Sequence, residues 1–358
     1  MALSPHGINY SAHRPVVMSR QGIVSSAHYL ASQAGLRILQ AGGNAVDASI
    51  ATAAALNVVE PEMSGIGGDG FMLVYMAETG KVEALNGTGA APFAATLDRY
   101  RDTGMPPKED GPRSAVMRIS TPGILDAWLM AHERFGSLPL PQLLEPAIEL
   151  ASEGFPVSHR LANTIAGEQK LLGTHPATAP IFLPQGRPPH AGEILTQSQL
   201  AKTLQKVASE NRGAFYEGEI GRSIVQACKE LGGLFTDRDF NEHRSAGWSE
   251  PLTTTYRGYE VYEHPPNSPG LVLLEMLNIL EQFDVASMGC NSSELIHLMV
   301  EIKKLAFADR EYIADPTWVK VPVEGLLSKD YAAMQSKPSA GGSKSRTVPL
   351  CSWASTRV

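Results

Sequence analysis

Cysteine is scarce in this chain, and no motif pairs one cysteine with another. The 358 residues include 3 cysteines, Cys228, Cys290 and Cys351, which lie far apart in the sequence. A disulfide framework and a zinc finger both need closely spaced cysteines, so neither is expected. The 10 histidines are scattered and form no HExxH motif, and no spacing typical of zinc ligands is present. The sequence therefore predicts no metal site.

Long apolar runs and an excess of positive charge are also missing. The longest apolar stretch, residues 48–59, is mostly alanine, whereas a membrane span needs about 20 apolar residues. Residues 1–20 lack the apolar core of a secretory signal. Acidic residues outnumber basic ones by 37 to 30, for a net charge of −7, which argues against nucleic-acid binding. We expect a cytoplasmic rather than a periplasmic protein, with neither a membrane nor a nucleic acid as partner.

What the chain does contain is an ordinary globular composition, 43% hydrophobic and 19% charged. Apolar spacing and capping residues predict several elements. These are a helix over 28–39, a second helix capped by Asn44 and ended by Pro61, a hairpin of strands 71–76 and 81–86, mainly helix over 121–250, a strand over 253–262, and helices over 271–283 and 293–312. Within the hairpin, the first strand is expected to be buried on both faces and the second to be half-exposed.

Polar stretches and capping pairs complete this outline. Residues 93–120 are rich in proline and glycine and predict a surface excursion, while the segment from residue 337 onward predicts a flexible tail. Thr196 with Gln199 predicts a capping box at a helix start, and Thr236 with Asp239 repeats the signal more loosely.

A glycine loop, Gly65-Ile-Gly-Gly-Asp-Gly70, matches the dinucleotide-binding pattern GxGxxG. That chemistry requires a strand before the glycines and a helix N-terminus after them, where the pyrophosphate meets helical N–H groups. Here a predicted helix precedes the loop and a predicted strand follows it. We therefore expect no cofactor, and interpret the loop as a sharp turn into a crowded sheet that can also line an active site.

The familiar catalytic arrangements are missing as well. No GxSxG nucleophile elbow is present, so a serine triad of the α/β-hydrolase kind is not supported. The nearby carboxylates, Asp237 with Asp239 and Glu301 with Asp309, fall on predicted helices or turns, where solvation is the simpler interpretation. From the residues alone, the chain has no evident catalytic set.

Distinctive short segments nevertheless follow one another from about residue 20 to residue 335. They are Ala41-Gly-Gly-Asn-Ala-Val-Asp-Ala48, Val58-Val-Glu-Pro61 and Ser64-Gly-Ile-Gly-Gly-Asp-Gly-Phe-Met-Leu73, and then residues 136–140, 145–148, 153–157, 213–218, 256–259, 276–281, 308–310, 315–316 and 320–322. In this order the segments resemble the γ-glutamyltransferase (γ-glutamyltranspeptidase) family.

The resemblance implies an N-terminal-nucleophile hydrolase, in which a precursor cuts itself into a large and a small chain. The fold would be α+β, a four-layer αββα sandwich completed by the separate small chain. Residues 1–336 would be the large-chain part of this single domain, and residues 337–358 a flexible tail before the cleavage site. The nucleophile is expected to be the first threonine of the small chain, with its own α-amine as base. Neither Thr347 nor Thr356 in the tail is followed by the strand that such a nucleophile starts, so no catalytic residue is assigned within this chain.

The chain departs from the family pattern at one position. After the second hairpin strand, the family usually has an arginine that holds the α-carboxylate of the substrate. Here the segment is Asn86-Gly-Thr-Gly-Ala-Ala-Pro92, with Thr88 at the arginine position. A hydroxyl cannot replace the charge of a guanidinium group. The resemblance therefore makes Thr88 and Asn86 the candidate substrate-binding residues, in a pocket for an altered acyl group.

The implied function is cleavage of a small-molecule amide with a γ-glutamyl-type acyl group or a smaller one such as oxamate. Two alternatives stay open. One is the branch of the family that removes acyl side chains from β-lactams. The other is a homologue that binds a ligand without catalysis.

Overall fold

The computed structural model describes residues 16–102 and 116–337, which form helices and short antiparallel strands. The helices are α1 Tyr29–Gln40, α2 Ala45–Val59, α3 Leu97–Asp102, α4 Ile124–Phe135, α5 Leu140–Ser152, α6 His159–Gly167, α7 Gln169–Leu172, α8 Ala179–Phe182, α9 Ser198–Arg212, α10 Glu219–Glu230, α11 Asp237–Asn241, α12 Gly270–Leu280, α13 Val285–Met288, α14 Ser293–Asp309, α15 Val323–Leu326 and α16 Lys329–Gln335. The strands are β1 Gly70–Met76, β2 Lys81–Gly87, β3 Phe155–Pro156, β4 Ile194–Leu195, β5 Gly247–Ser249, β6 Leu252–Tyr256 and β7 Tyr259–Glu263.

The chain divides into two compact units. The first contains the residues up to Val74 and those from Leu85 to Trp248, and the second contains Tyr75–Ala84 and the residues from Ser249 onward. Helices and sheets occur together, as expected for the α+β class. The assignment of residues 1–336 to one domain stays a prediction, and the predicted tail lies outside the described residues from residue 338 onward.

The helical core of the first unit is built around α2. The side chain of Asn44 accepts hydrogen bonds from the backbone N–H groups of Val46 and Asp47, while Asp47 accepts from the Asn44 N–H group, so the predicted cap is a full capping box. Along α2 the small side chains are buried on nearly every face. A Cβ atom at Gly35 of α1 would overlap Thr52 of α2, so glycine allows the two helices to pack closely.

One predicted helix cap in the first unit needs correction. Thr196 does not cap α9, because the helix begins at Ser198 and the side chain of its N-cap residue, Gln197, instead donates a hydrogen bond to the buried carbonyl of Val58. The predicted surface excursion at 93–120 contains a short helix, α3, and its residues 103–115 lie outside the described part. The Thr236–Asp239 capping box is confirmed at the start of α11.

The hairpin of β1 and β2 is confirmed, but its burial is the reverse of the prediction. The strands lie in a three-stranded sheet of order β1-β2-β5. Residues 84–87 of β2 are buried, whereas β1 exposes Phe71, Leu73 and Tyr75 on alternate positions. The expectation of a doubly buried β1 is wrong because no other part of the described chain covers this face of the strand.

The second unit contains a second hairpin where the sequence predicted one strand. Strands β6 and β7 pair antiparallel, with Tyr256 opposite Tyr259. Between them, Arg257 and Gly258 have φ values of 50° and 87°, which is typical of a two-residue hairpin turn. The predicted strand over 253–262 is therefore wrong at its centre, where the turn reverses the chain.

Three helices form the core of the second unit. Ile279 of α12, Ile302 of α14 and Ala332 of α16 are buried together. On α14, however, other apolar side chains remain exposed, namely Ile296, Met299, Val300 and Phe307. The helix thus carries one apolar face that is packed and one that is not. No helix in the described part of the chain is both long and apolar enough to cross a membrane.

Candidate functional site

The two predicted substrate-binding residues lie together in the turn that ends β2. Asn86 is buried, and its Oδ1 accepts hydrogen bonds from Thr88 N over 3.0 Å and from Thr88 Oγ1 over 2.7 Å. An Asn side chain that accepts a hydrogen bond from the backbone two residues later stabilises a local turn. The buried Asn86 therefore holds the half-buried Thr88 in a defined orientation, and the role of both residues in substrate binding stays a prediction.

Glycines on either side of Thr88 allow very close backbone contacts. A Cβ atom at Gly87 would overlap the side chain of Ala127, and one at Gly89 would overlap the carbonyl of Thr121. Gly123, at the N-cap of α4, similarly approaches the carbonyl of Gly87. The turn after β2 is therefore held against residues 121–123 by backbone contacts that only glycine permits.

The glycine loop before β1 also contacts the start of α4. The carbonyl of Gly68 accepts hydrogen bonds from the N–H groups of Gly123 and Ile124, each over 2.9 Å. These two N–H groups at a helix N-terminus are the kind of donor that a phosphate would use, but a protein carbonyl already occupies them. The structure thus agrees with the interpretation of the loop as a sharp turn beside the candidate site.

An acidic side chain completes this site. Asp69 of the glycine loop accepts hydrogen bonds from Gly89 N over 2.9 Å and from Ser120 Oγ over 3.1 Å. The sequence interpretation missed this contact, although a lone carboxylate among glycines was a visible signal. The described polar side chains at the turn, those of Asn86, Thr88, Ser120 and Asp69, are thus neutral or negative.

A second polar cluster of the first unit surrounds Asp126 of α4. Its carboxylate accepts hydrogen bonds from Arg212 Nε and from Ser245 N, each over 3.0 Å, and lies 3.5 Å from His243 Nε2. Burial alone would raise the pKa of Asp126, but the hydrogen bonds from His243 and Ser245 and the charge of Arg212 hold it well below the ordinary value. Asp126 therefore stays ionised at neutral pH and cannot act as a general acid there.

Ser245, His243 and Asp126 resemble a catalytic triad only in composition. Ser245 Oγ lies 3.4 Å from His243 Nε2, and the same nitrogen faces Asp126. A working triad uses the two different ring nitrogens, one toward the serine and the other toward the carboxylate. The imidazole is also buried and stacked on Tyr216, with ring centroids 4.8 Å apart. The contacts of the cluster therefore hold α4, the end of α9 and residues 243–245 together and have a structural role.

In the second unit, a carboxyl pair lies deep inside the helical core. Glu275 of α12 and Asp309 of α14 are each 1% exposed, and the hydroxyl of Tyr331 donates a hydrogen bond to Asp309 Oδ2 over 2.6 Å. Burial and the neighbouring Asp309 raise the pKa of Glu275 to about 9. The sequence interpretation placed Asp309 beside Glu301 and in solvent, which is wrong, because α14 turns Asp309 inward toward α12. Substrate has no access to this buried pair.

Within residues 16–102 and 116–337, His, Cys, Asp and Glu side chains form no group of three that could hold a metal ion.

The sequence of the chain is similar to those of known proteins along most of its length. A family model described as gamma-glutamyltranspeptidase matches residues 31–345. The glutathione hydrolase-like YwrD proenzyme of Bacillus subtilis (strain 168) is 41% identical over 321 residues, which cover 89% of this chain and 60% of the relative. Acylase ACY 1 proenzyme of Pseudomonas sp. (strain V22) is 38% identical over 336 residues, or 92% of this chain and 60% of the relative. The chain thus spans about 60% of the length of these two relatives.

A solved structure supports the same relationship at the level of the fold. The γ-glutamyltranspeptidase of Helicobacter pylori superposes with a TM-score of 0.83 at 32% sequence identity, and the match covers 90% of this chain and 93% of that one. The family model covers most of the chain and the sequence identities exceed 30%. The chain therefore belongs to the γ-glutamyltranspeptidase family.

Proposed function

We propose that this chain is the large-chain part of a self-processing amide hydrolase whose nucleophile is the first threonine of a small chain. Two proteins with which it shares about nine-tenths of its length are named proenzymes, and the chain spans about 60% of each. The remaining part of such a precursor would supply the small chain. In this arrangement the large chain provides the turn that binds the substrate, and the small chain provides the threonine that reacts with it.

The exposed apolar surface supports such a partner. Phe71, Leu73 and Tyr75 of β1 are between 41% and 65% exposed, although a strand of this composition is normally covered on that face. A contiguous apolar patch on a soluble protein marks an interaction site. The small chain would cover this face with strands of its own and complete the four-layer αββα sandwich.

The chemistry follows from the threonine and its own amine. The α-amino group, with a pKa of about 8, takes the proton from the threonine hydroxyl as the oxygen attacks the amide carbon of the substrate. The amine of the substrate leaves with that proton, and the acyl group remains as an ester on the threonine. Water, deprotonated by the same α-amine, then hydrolyses the ester and releases the acid. No histidine is needed in this sequence of steps.

The turn that ends β2 indicates which acyl group the substrate carries. It is the observation on which the proposed function of this chain rests. Thr88 stands where the family resemblance places a carboxylate-binding arginine, and its hydroxyl is directed to Asn86 Oδ1 over 2.7 Å. A hydroxyl offers no charge to a substrate carboxylate, and a carboxylate removed from water without a charged partner is costly. The preferred acyl group is therefore an uncharged one. An oxamate amide is smaller than a γ-glutamyl amide, but it carries a carboxylate beside the amide carbonyl and is expected to be a poorer substrate.

The removal of acyl side chains from β-lactams is the second candidate. An acylase proenzyme is 38% identical over 92% of this chain, and a turn without a positive charge suits an acyl side chain without an α-carboxylate. The alternative that is not an enzyme is a homologue that binds a ligand and does not cleave it.

The test is expression of the full-length precursor, followed by an amide panel on the purified product. The panel contains γ-glutamyl, oxamate-type and β-lactam side-chain amides. We expect two chains, with a threonine at the start of the smaller one, and faster cleavage of the amides whose acyl group carries no carboxylate. A protein that remains uncut and cleaves none of the amides would instead support the hypothesis of a homologue that binds a ligand without catalysis.

A further inference from the structure

Asp69 connects three segments of the candidate site. Its Oδ1 accepts a hydrogen bond from the backbone N–H of Gly89 over 2.9 Å, and its Oδ2 accepts one from Ser120 Oγ over 3.1 Å. The first contact reaches the residue next to Thr88, and the second reaches the segment that precedes α4. Thr121 N also donates to the carbonyl of Ala90 over 2.9 Å, so the Asp69 carboxylate lies within a closed hydrogen-bonded arrangement.

The charge of this carboxylate is not neutralised by its neighbours. Both of its hydrogen-bond donors are neutral groups. None of the ion pairs formed by the described residues includes Asp69, and its side chain is exposed. A carboxylate repels a second carboxylate brought close to it. Thr88, one residue from Gly89, is therefore presented beside a fixed negative charge.

We propose that Asp69 is a specificity-determining residue, which positions the Thr88 turn and makes the acyl pocket reject acyl groups that end in a carboxylate. This inference rests on the proposed amide hydrolysis and goes further, because it names the substrate class by charge. The preferred acyl group has an uncharged or positively charged end. The selection comes from repulsion by Asp69 as well as from the replacement of an arginine by Thr88.

The test uses the full-length matured protein and two p-nitroanilides of nearly equal shape. The glutaryl compound ends in a carboxylate, and the 4-carbamoylbutanoyl compound ends in an uncharged amide. Asp69→Asn keeps an oxygen acceptor for Gly89 N–H and removes the charge. We expect it to raise the ratio of glutaryl to 4-carbamoylbutanoyl kcat/KM by about three- to tenfold, mainly through a lower KM for the glutaryl compound.

Ser120→Ala is the matched control, because it removes one of the two hydrogen bonds to Asp69 and keeps the charge. It should slow both substrates equally and leave the ratio unchanged. A second measurement needs no variant. In the wild type, raising the salt concentration from 10 mM to 0.5 M screens an exposed charge and should raise the same ratio.

The outcomes separate the two proposals. An active enzyme whose ratio responds neither to Asp69→Asn nor to salt contradicts the role of Asp69 alone. If Asp69→Asn fails to fold, the salt series decides, and an unchanged ratio again contradicts the inference. A two-chain wild-type protein that cleaves neither anilide nor any amide of the wider panel contradicts the proposed function and the inference together.

Discussion

The hydroxyl of Thr88 donates a hydrogen bond to Asn86 Oδ1 across 2.7 Å, and the N–H group of Thr88 donates to the same oxygen across 3.0 Å. The second of these contacts belongs to the backbone, so it does not depend on which side chain occupies position 88. We therefore expect the turn to keep its shape when the Thr88 side chain is exchanged. Position 88 is thus suited to a direct test of acyl recognition.

Thr88→Arg should turn the specificity of the full-length enzyme toward γ-glutamyl amides. A charge-assisted contact with the α-carboxylate contributes about 1.5–3 kcal/mol, so kcat/KM for γ-glutamyl-p-nitroanilide should rise about tenfold or more. Turnover of uncharged acyl amides should fall. Thr88→Met, of similar reach and without charge, is the control and should not improve γ-glutamyl turnover.

Two results would contradict this account of position 88. Robust hydrolysis of γ-glutamyl-p-nitroanilide by the wild type would show that another cation anchors the α-carboxylate. If Thr88→Arg left kcat/KM unchanged for both γ-glutamyl and uncharged acyl amides, the turn would not reach the pocket.

Gly89→Ala should destabilise the protein, whereas Gly67→Ala should not. A Cβ atom at Gly89 would overlap the carbonyl of Thr121, while one at Gly67 would have no heavy atom within 4 Å. A backbone overlap of this kind should lower the free energy of unfolding by more than about 2 kcal/mol, and the Gly67 change should stay within about 0.5 kcal/mol. Urea denaturation of the full-length protein measures both, and equal effects would refute the close contact.

Features encoded by neighbouring residues were predictable from the sequence. The cap at Asn44 and the capping box at Thr236 were predictable because a cap and its partners are at most three residues apart. The turn at Arg257 and Gly258 was missed because apolar alternation continues on both sides of it, and Arg257 is not a residue that usually signals a positive φ. Thr196 was misassigned because a tertiary contact from Gln197 to Val58 decides where α9 begins.

Features that depend on distant residues could not be predicted in this way. The resemblance to the family identified Asn86 and Thr88 as candidate substrate-binding residues. The contact of Asp69 with Gly89 joins residues 20 positions apart in the sequence, and no local pattern encodes it. The exposed face of β1 was predicted to be buried because its composition suits a covered strand. The apolar composition shows that the strand is suited to packing against another layer. No part of the described chain forms that layer over this face.

Asp126→Asn should destabilise the first unit, because it leaves Arg212 beside a neutral side chain. Removing one partner of a largely buried ion pair should cost about 2–4 kcal/mol at pH 6. The folded-state pKa of Asp126 is depressed, so its contribution is present above the unfolded value and is lost as the pH falls below about 4. The stability difference between wild type and variant should therefore shrink by about 1 kcal/mol between pH 6 and pH 3.

Chemical denaturation across this pH range measures the effect, with Asp98→Asn as the control. Asp98 is an exposed partner of Arg101, and its removal should have little effect at any of these pH values. A stability difference for Asp126→Asn that stays constant with pH would contradict the depressed pKa.

Glu275→Gln should make the protein more resistant to alkaline pH. The pKa of Glu275 is raised to about 9 in the folded state, so the folded protein binds a proton that the unfolded chain releases. The free energy of unfolding then falls as the pH rises from about 5 to about 9, by up to about 1.4 kcal/mol per pH unit from this group. Glutamine keeps a hydrogen-bond donor toward Asp309 and does not titrate.

Urea denaturation of the full-length protein at pH 6 and pH 8.5 should show a smaller loss of stability for Glu275→Gln than for the wild type. Glu294→Gln, on the exposed surface of α14, is the control and should behave as the wild type does. Parallel losses in all three proteins would mean that Glu275 holds no extra proton.

Intact-mass spectrometry of the full-length protein, before and during turnover of an amide with an uncharged acyl group, tests the central claim most directly. We predict two chains, of which the smaller begins with threonine and transiently gains the mass of the acyl group, while the chain described here keeps its mass. A single uncut polypeptide, or an acyl group on the large chain, would contradict the account.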